Sequence, residues 1–278
     1  MQKMQNLIAQ VINFSQEKKQ FVGFDGKDFT TFVKNFFSVS TSHDFLNYSI
    51  EELYNAALLS FDFYVNKKPG EFKVRICNPT IEKNGFESSY TFLDIVNDDM
   101  PFLVDSTVAY LDKYGVRVKN IIHPIYSSIR DKNGKLEEIS TSKTAHQESI
   151  IQLHLDKLTA ESDIKMLQEN ISKILKNVAL AVKDWQPMIE LVNKAADQID
   201  NAKKINKETD EIKEFLNWIA SGNFILLGAK EFDVREVKKN EYALEETKNS
   251  GFGIFRSENE EFVPEVINTS FEEVSDSV

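Results

Sequence analysis

The densest group of chemically capable side chains is Asp98, Asp99 and Asp105, within the string NDDMPFLVDS from Asn97 to Ser106. Carboxylates this close together can hold a cation, share a proton or accept the free N–H groups of a helix start. No basic partner and no metal-ligand spacing accompanies them, so capping and favourable interaction with a helix dipole are the expected roles. His123, directly before Pro124, has the chemistry of a proton donor or ligand contact, weighed against a strand histidine satisfied by local hydrogen bonds. Glu148 opens a strand and is expected to pair with His123 or with a basic residue across the sheet. His154 alternates with Ile151, Leu153 and Leu155, which assigns it to the opposite, wetter face. Cys77, in the run Val74-Arg75-Ile76-Cys77, reads as a buried strand thiol. One cysteine and four histidines allow no internal disulfide and no recognisable zinc pattern.

The elements that must position these groups follow from periodicity. Residues 1–70 read as a helical lead-in. Leu7, Val11 and Phe14 recur at helical spacing, and Leu53, Ala56, Ala57, Ser60, Phe61 and Tyr64 form one face of a helix begun by a Ser49/Glu52 capping box. Lys67-Lys68-Pro69-Gly70 breaks it. From Glu71 the period becomes strand-like: Phe72 to Ile76, then Tyr90 to Val96. Pro101 suits the first turn of a helix, with Asp98 or Asp99 as its cap, Leu103, Thr107, Tyr110, Leu111 and Tyr114 as its buried face, and Gly115 as its end. A long strand from Val116 to Ile129 is interrupted by Pro124. Asn133-Gly134 predicts a type I′ hairpin turn, followed by strands at 136–139 and 148–156 and an amphipathic helix over 162–182.

Segment 71–183 therefore reads strand, strand, helix, hairpin, strand, helix. That order predicts an α+β sandwich of the ferredoxin-like kind, with helices on one face of a mainly antiparallel sheet. Residues 184–221 read as a connecting helix, polar and solvated from about Ile189 to Ala220. Residues 222–278 read as an incomplete second β-rich unit, with an acidic, frayed tail from Ser257.

Composition narrows the functional classes. Hydrophobic residues make up 41% and charged residues 28% of 278, enough apolar material for a core without staples. A net charge of −11 argues against nucleic-acid binding, which needs a basic face. The amino terminus lacks a secretion signal and no apolar stretch reaches membrane-span length, so a cytoplasmic location off the membrane is expected.

The stretch LDIVNDDMPFLVDSTVAYL resembles the large NAD-specific glutamate dehydrogenases of bacteria. Co-linear matches extend the resemblance over roughly residues 50–256: Tyr54 to Leu58, Pro69-Gly70, Val74-Arg75, Asn78-Pro79, Ile122-His123-Pro124, Arg130-Asp131 with Gly134, Glu148-Ser149, Asp184-Trp185, Pro187-Met188, Phe215 to Trp218, Leu227-Gly228 and Gly251 to Ile254. The resemblance implies that this region precedes the catalytic core and is ACT-like. In the family the chemistry lies further along, in a segment with a substrate-activating lysine and a Rossmann domain for NAD. Gly251-Phe252-Gly253 lacks the third glycine of a dinucleotide-binding loop, so this segment is expected to bind no cofactor and carry no catalytic residue.

The resemblance also implies an amino-acid effector near the turn from strand to helix, with Asn97, Asp98, Asp99, Pro101, Asp105, Ser106 and His123 as candidate contacts. Phe102 stands where many ligand-binding ACT modules have glycine, and two aspartates oppose a ligand carboxylate. A regulatory and assembly region is the first reading, with a homo-oligomer and the catalytic region of the same enzyme as partners. The alternative is a free-standing amino-acid-binding module or the remnant of a truncated gene. A complete small enzyme has no nucleophile–base arrangement behind it.

Overall fold

The structure, a computed structural model, describes residues 2–18, 26–40, 45, 48–140, 142, 145–200, 207–238 and 241–256. The chain forms two compact units, Met1–Leu175 and Lys176–Val278.

Three helices open the first unit: α1 (Gln2–Lys18), α2 (Gly26–Ser38) and α3 (Ile50–Tyr64). α2 spaces Phe29, Phe32, Val33, Phe36 and Phe37 along one stripe, and all five are buried. Phe32 stacks on Phe36 and Tyr126 with ring centroids 5.1 and 5.0 Å apart, and Phe29 meets Phe61 edge-on at 5.2 Å. α3 starts at the expected capping box: Ser49 Oγ accepts from the Glu52 N–H, and the Ser49 N–H donates to the Glu52 carboxylate.

Six strands follow: β1 (Lys73–Cys77), β2 (Tyr90–Asp98), β3 (Val118–Ile122), β4 (Ile125–Arg130), β5 (Leu136–Ser140) and β6 (His146–Asp156). They form one antiparallel sheet in the order β1-β2-β6-β4-β5, with β3 also on β6. β3 and β4 pair with successive parts of β6, broken at His123-Pro124 where proline supplies no ladder donor. A short helix, α4 (Ile81–Asn84), lies between β1 and β2, and α5 (Leu103–Lys113) joins β2 to β3. Both strands run antiparallel to β6, hence parallel to each other with β6 between them, which makes β2-α5-β3 a split βαβ unit. The outer place beside β2 is taken by β1, which precedes it in the chain. The architecture is α+β, as the element order predicts, and ACT-like, as the resemblance implies.

Register assigns the two faces. Phe92, Asp94, Val96 and Asp98 lie opposite His154, Gln152, Ile150 and Glu148 on one face. Leu93, Ile95 and Asn97 lie opposite Leu153, Ile151 and Ser149 on the other. The first face is not wet. Val96, Ile122, Tyr126, Leu136, Ile139 and Ile150 share one core with the phenylalanines of α2 and α3, so the lead-in helices cover it and His154 is fully buried. The other face is buried too, and α5 and α6 (Glu161–Lys183) bring apolar stripes that include Leu103, Leu111, Leu167, Ile171 and Leu175. Gln168 Oε1 of α6 accepts the Ile76 N–H of β1.

The β4–β5 turn differs from the expected type I′. Asn133 is not at positive φ; Gly134 alone is, at 87°, and the register slips between Ile129 and Arg130. Asp131 Oδ1 accepts the N–H groups of Asn133 and Lys135, so the aspartate supplies the closure expected of the Asn-Gly pair. Gly134 is also needed sterically, since a Cβ there would lie 2.4 Å from the Lys67 carbonyl oxygen.

In the second unit the expected single polar helix is two, α7 (Trp185–Asp200) and α8 (Lys207–Trp218). A π turn at Ile219–Asn223 follows, with Gly222 at φ 87°. β7 (Gly228–Ala229) pairs with β10 (Phe252–Gly253), and β8 (Phe232–Lys238) with β9 (Glu241–Glu246). Asp184 knits the unit: its carboxylate accepts the Gly253 N–H at 2.8 Å and the Arg256 guanidinium at 2.5 and 2.7 Å. The tail read as frayed from Ser257 lies outside the described residues. Among the described residues no helix is long and apolar enough to cross a membrane.

Candidate functional site

The adjacent aspartates Asp98 and Asp99 end up in two different constellations. Asp98 is the last residue of β2 and lies on the face toward the lead-in helices. Its Oδ1 is 2.5 Å from Lys67 Nζ and 2.8 Å from His146 Nε2. Lys67, nearly fully buried, also reaches Glu148 at 3.2 Å. Glu148 receives Arg130 through Nε and Nη2 at 2.9 and 2.8 Å. The same guanidinium donates to the carbonyl oxygens of Tyr64, Val65 and Gly134. Burial alone would raise the Glu148 carboxyl, but bonds from Arg130 and Ser128 and the charges of Arg130 and Lys67 outweigh it, leaving it below the ordinary glutamate value. Asp98 is likewise held low, with burial overcome by Lys67 and His146.

Ligand atoms of Asp98, His146 and Glu148 lie within 4.8 Å of one another, a spacing that could suit a metal ion. The Lys67 ammonium already sits between both carboxylates, so the donors face a cation supplied by the chain itself. Of the two expected pairings of Glu148, the one with His123 does not form and the one with a basic residue across the sheet does, through Arg130 of β4, joined by Lys67.

Asp99 turns to the other side. Its Oδ1 accepts Ser149 Oγ at 2.5 Å, and its N–H donates to Gln147 O at 3.0 Å. His123 Nε2 lies 3.0 Å from Ser149 Oγ. Because the serine proton goes to Asp99, the imidazole is the donor in this contact. Serine, histidine and aspartate thus meet with serine in the middle, its proton held by a carboxylate and not by a base that could activate it. Burial pushes the His123 imidazole below its ordinary value, with Asp99 opposing in part. Beside Ser149, across the ladder, Asn97 is 1% exposed, and its Nδ2 has no hydrogen-bond partner among the described residues.

The helix start departs from expectation. α5 begins at Leu103 with Phe102 in the N-cap position, and no side chain caps it. Asp98 and Asp99 are spent on Lys67, His146 and Ser149, and Pro101 falls outside the first turn. Phe102 sits at φ 71°, ψ 3°, a left-handed conformation that favours glycine. The turn therefore keeps a glycine-type backbone with a phenylalanine on it. Asp105 and Pro101 are exposed and Ser106 is half-buried. Of the seven sequence candidates, Asn97, Asp99 and His123 are gathered around Ser149, Asp98 is drawn away, Pro101 precedes α5, and Asp105 and Ser106 lie within the start of that helix. Sequence reasoning missed Ser149 and Lys67 as members of these clusters; strand alternation from Asn97 and Glu148 was the available signal.

A buried relay runs beneath α3. Tyr48 OH donates to His154 Nδ1 at 2.7 Å, and His154 Nε2 donates to Gln152 Oε1 at 3.0 Å. Gln152 Nε2 donates to Asp94 Oδ1 and to Ala56 O, and Asp94 Oδ2 accepts Arg75 at 2.7 Å. With Gln152 Nε2 committed to two oxygens, its Oε1 must accept, which fixes the His154 tautomer. Burial depresses His154 to about 3, so it is neutral at physiological pH.

The family model for the glutamate dehydrogenase ACT1 domain matches residues 32–171. The NAD-specific glutamate dehydrogenase of Halomonas elongata is 28% identical over 233 residues, which cover 81% of this chain and 14% of that protein. The NAD-specific glutamate dehydrogenase of Pseudomonas aeruginosa is 28% identical over 213 residues, 74% of this chain and 13% of that protein. With the split βαβ sheet and the strand-to-helix turn in the matched region, the chain belongs to the NAD-specific glutamate dehydrogenase family through its ACT1 domain.

Proposed function

We propose that this chain is the amino-terminal regulatory and assembly region of an NAD-dependent glutamate dehydrogenase, without the catalytic core, and that its β2–α5 turn receives an amino acid. The relatives it matches are NAD-specific glutamate dehydrogenases, and it spans 13–14% of their length. The wiring of Ser149 between Asp99 and His123 supports a binding role over a hydrolytic one.

The observation that carries the effector reading is the buried, unpartnered Asn97 Nδ2 beside Asp99 and the start of α5. A buried donor left unmade costs about 1–3 kcal/mol, which a ligand oxygen would relieve. An amino acid is a zwitterion. Asn97 and the first N–H groups of α5 suit its carboxylate, and Asp99 suits its ammonium. With Asp98 neutralised by Lys67 on the other face, Asp99 is the member of the aspartate pair left beside Ser149.

A thermal-shift titration with glutamate, aspartate, arginine and other amino acids tests this, because a ligand of the native state raises Tm by mass action. A saturable rise that disappears on Asp99→Ala is expected. No rise with any amino acid overturns the effector reading, and formation of NADH from glutamate and NAD by the purified chain overturns the non-catalytic one.

A further inference from the structure

A second place in the first unit holds a buried donor with nothing to bind. A groove of about 490 Å³ follows the outer edge of β3, lined by Val39 and Ser40 after α2, Val108 of α5, and Val118, Lys119, Asn120 and Ile121 of the strand. Asn120 is 8% exposed, and its Nδ2 has no hydrogen-bond partner among the described residues. Ser40 Oγ, in the same lining, is also buried and without a partner among the described residues. Two such groups lining one groove call for an occupant that offers an acceptor oxygen.

The size and walls say what kind. The volume falls within the range of small-molecule sites, and three valines give it an apolar lining. β3 is an edge strand, yet two features spoil it as a template for an added strand. Its register slips between Val118 and Asn120, and Lys119, at the slip, is held 2.9 Å from Asp156. Bulges and lysines on an edge disfavour pairing with another chain. A small molecule therefore fits better than an extended peptide.

We propose that this groove binds a short aliphatic compound through its acyl oxygen, carboxylate or carboxamide. The oxygen accepts from Asn120 Nδ2 and Ser40 Oγ, and the alkyl chain lies against Val39, Val108 and Val118. The site is separate from the β2–α5 turn and shares no residue with it.

The test is a titration of the isotope-labelled protein with hexanoate and, in parallel, hexanamide, followed by the side-chain amide signals of Asn120. A saturable movement of those signals is expected, with hexanoate alone if charge is read and with both if the carbonyl suffices. Asn120→Leu removes the donor and its burial cost, so it should fold, and it should weaken binding about tenfold. Val108→Trp, which fills the groove and leaves Asn120 intact, should abolish the response. No saturable movement with either compound, or equal affinity in Asn120→Leu, overturns the proposal.

Discussion

At the scale of single residues, the consequential finding is that neighbouring acids have unrelated duties. Glu148 is fully buried between Arg130 and Lys67, and its two cations are nearly as deep. Removing one member of such a set leaves uncompensated buried charge, which costs roughly 3–5 kcal/mol. Glu148→Gln keeps the volume and loses the charge, so it should destabilise the first unit by about 3 kcal/mol. Urea unfolding followed by tyrosine near-UV circular dichroism checks this, since Tyr64 and Tyr126, whose rings pack against Phe32, belong to that unit. A loss below about 1 kcal/mol would mean the pair is solvated as an exposed one is. The Cys77 thiol, raised by burial to about 11, is the opposite case: it is poorly ionised and has the reactivity of a packing residue. The strand placement was legible in the sequence, but the expected full burial was not met, because Cys77 at the end of β1 is half-buried. The partner of Glu148 was not legible, because Arg130 and Lys67 reach it only after the hairpin and the segment following α3 are folded against β6.

At the scale of elements, the segment after α3 and the β4–β5 turn form a clasp. The Lys67 N–H donates to Gly134 O, the Leu136 N–H donates to Val65 O, and Arg130 grips both segments. Gly134 meets two demands at once, a positive φ and a backbone approach that leaves no room for a Cβ. Gly134→Ala should therefore lower stability by more than the roughly 1 kcal/mol of a left-handed alanine, on the order of 2–3 kcal/mol. Gly115→Ala, where φ is 69° and a Cβ meets nothing within 4 Å, should cost only the conformational part. Comparing the two melting temperatures separates the steric term from the backbone term, and equal losses would remove the clasp. The lead-in was readable as helix from Leu7, Val11 and the Ser49/Glu52 capping box. Its destination was not, because an apolar stripe announces that it will be buried without naming the surface that buries it.

At the scale of the whole molecule, the covering of both sheet faces in the first unit makes it acid-sensitive. His154 titrates near 6.5 when unfolded and near 3 when folded. Its folded value is depressed, so the unfolded chain binds more protons between these values and stability falls as pH drops through that window. From pH 7 to pH 5 this amounts to about 2 kcal/mol. His123 acts in the same direction. Glu148 and Asp98, also held low, add their loss at lower pH, below the ordinary carboxylate range. Urea unfolding at pH 7 and pH 5 should show this loss in the natural chain and a smaller one in His154→Gln, and an unchanged slope would place water at the ring. The sequence by itself determined the order of the strands and the two long helices over residues 71–183, the α+β class and the family, because periodicity and co-linear motifs are local properties of the chain. It did not determine that His154 is dry, that Asp98 and Asp99 part company, or that Phe102 stands where α5 begins. Those depend on which surface covers which face of the sheet and on residues far apart in the chain, such as Tyr48 and His154 or Lys67 and Glu148, meeting only when the lead-in helices close over β2 and β6.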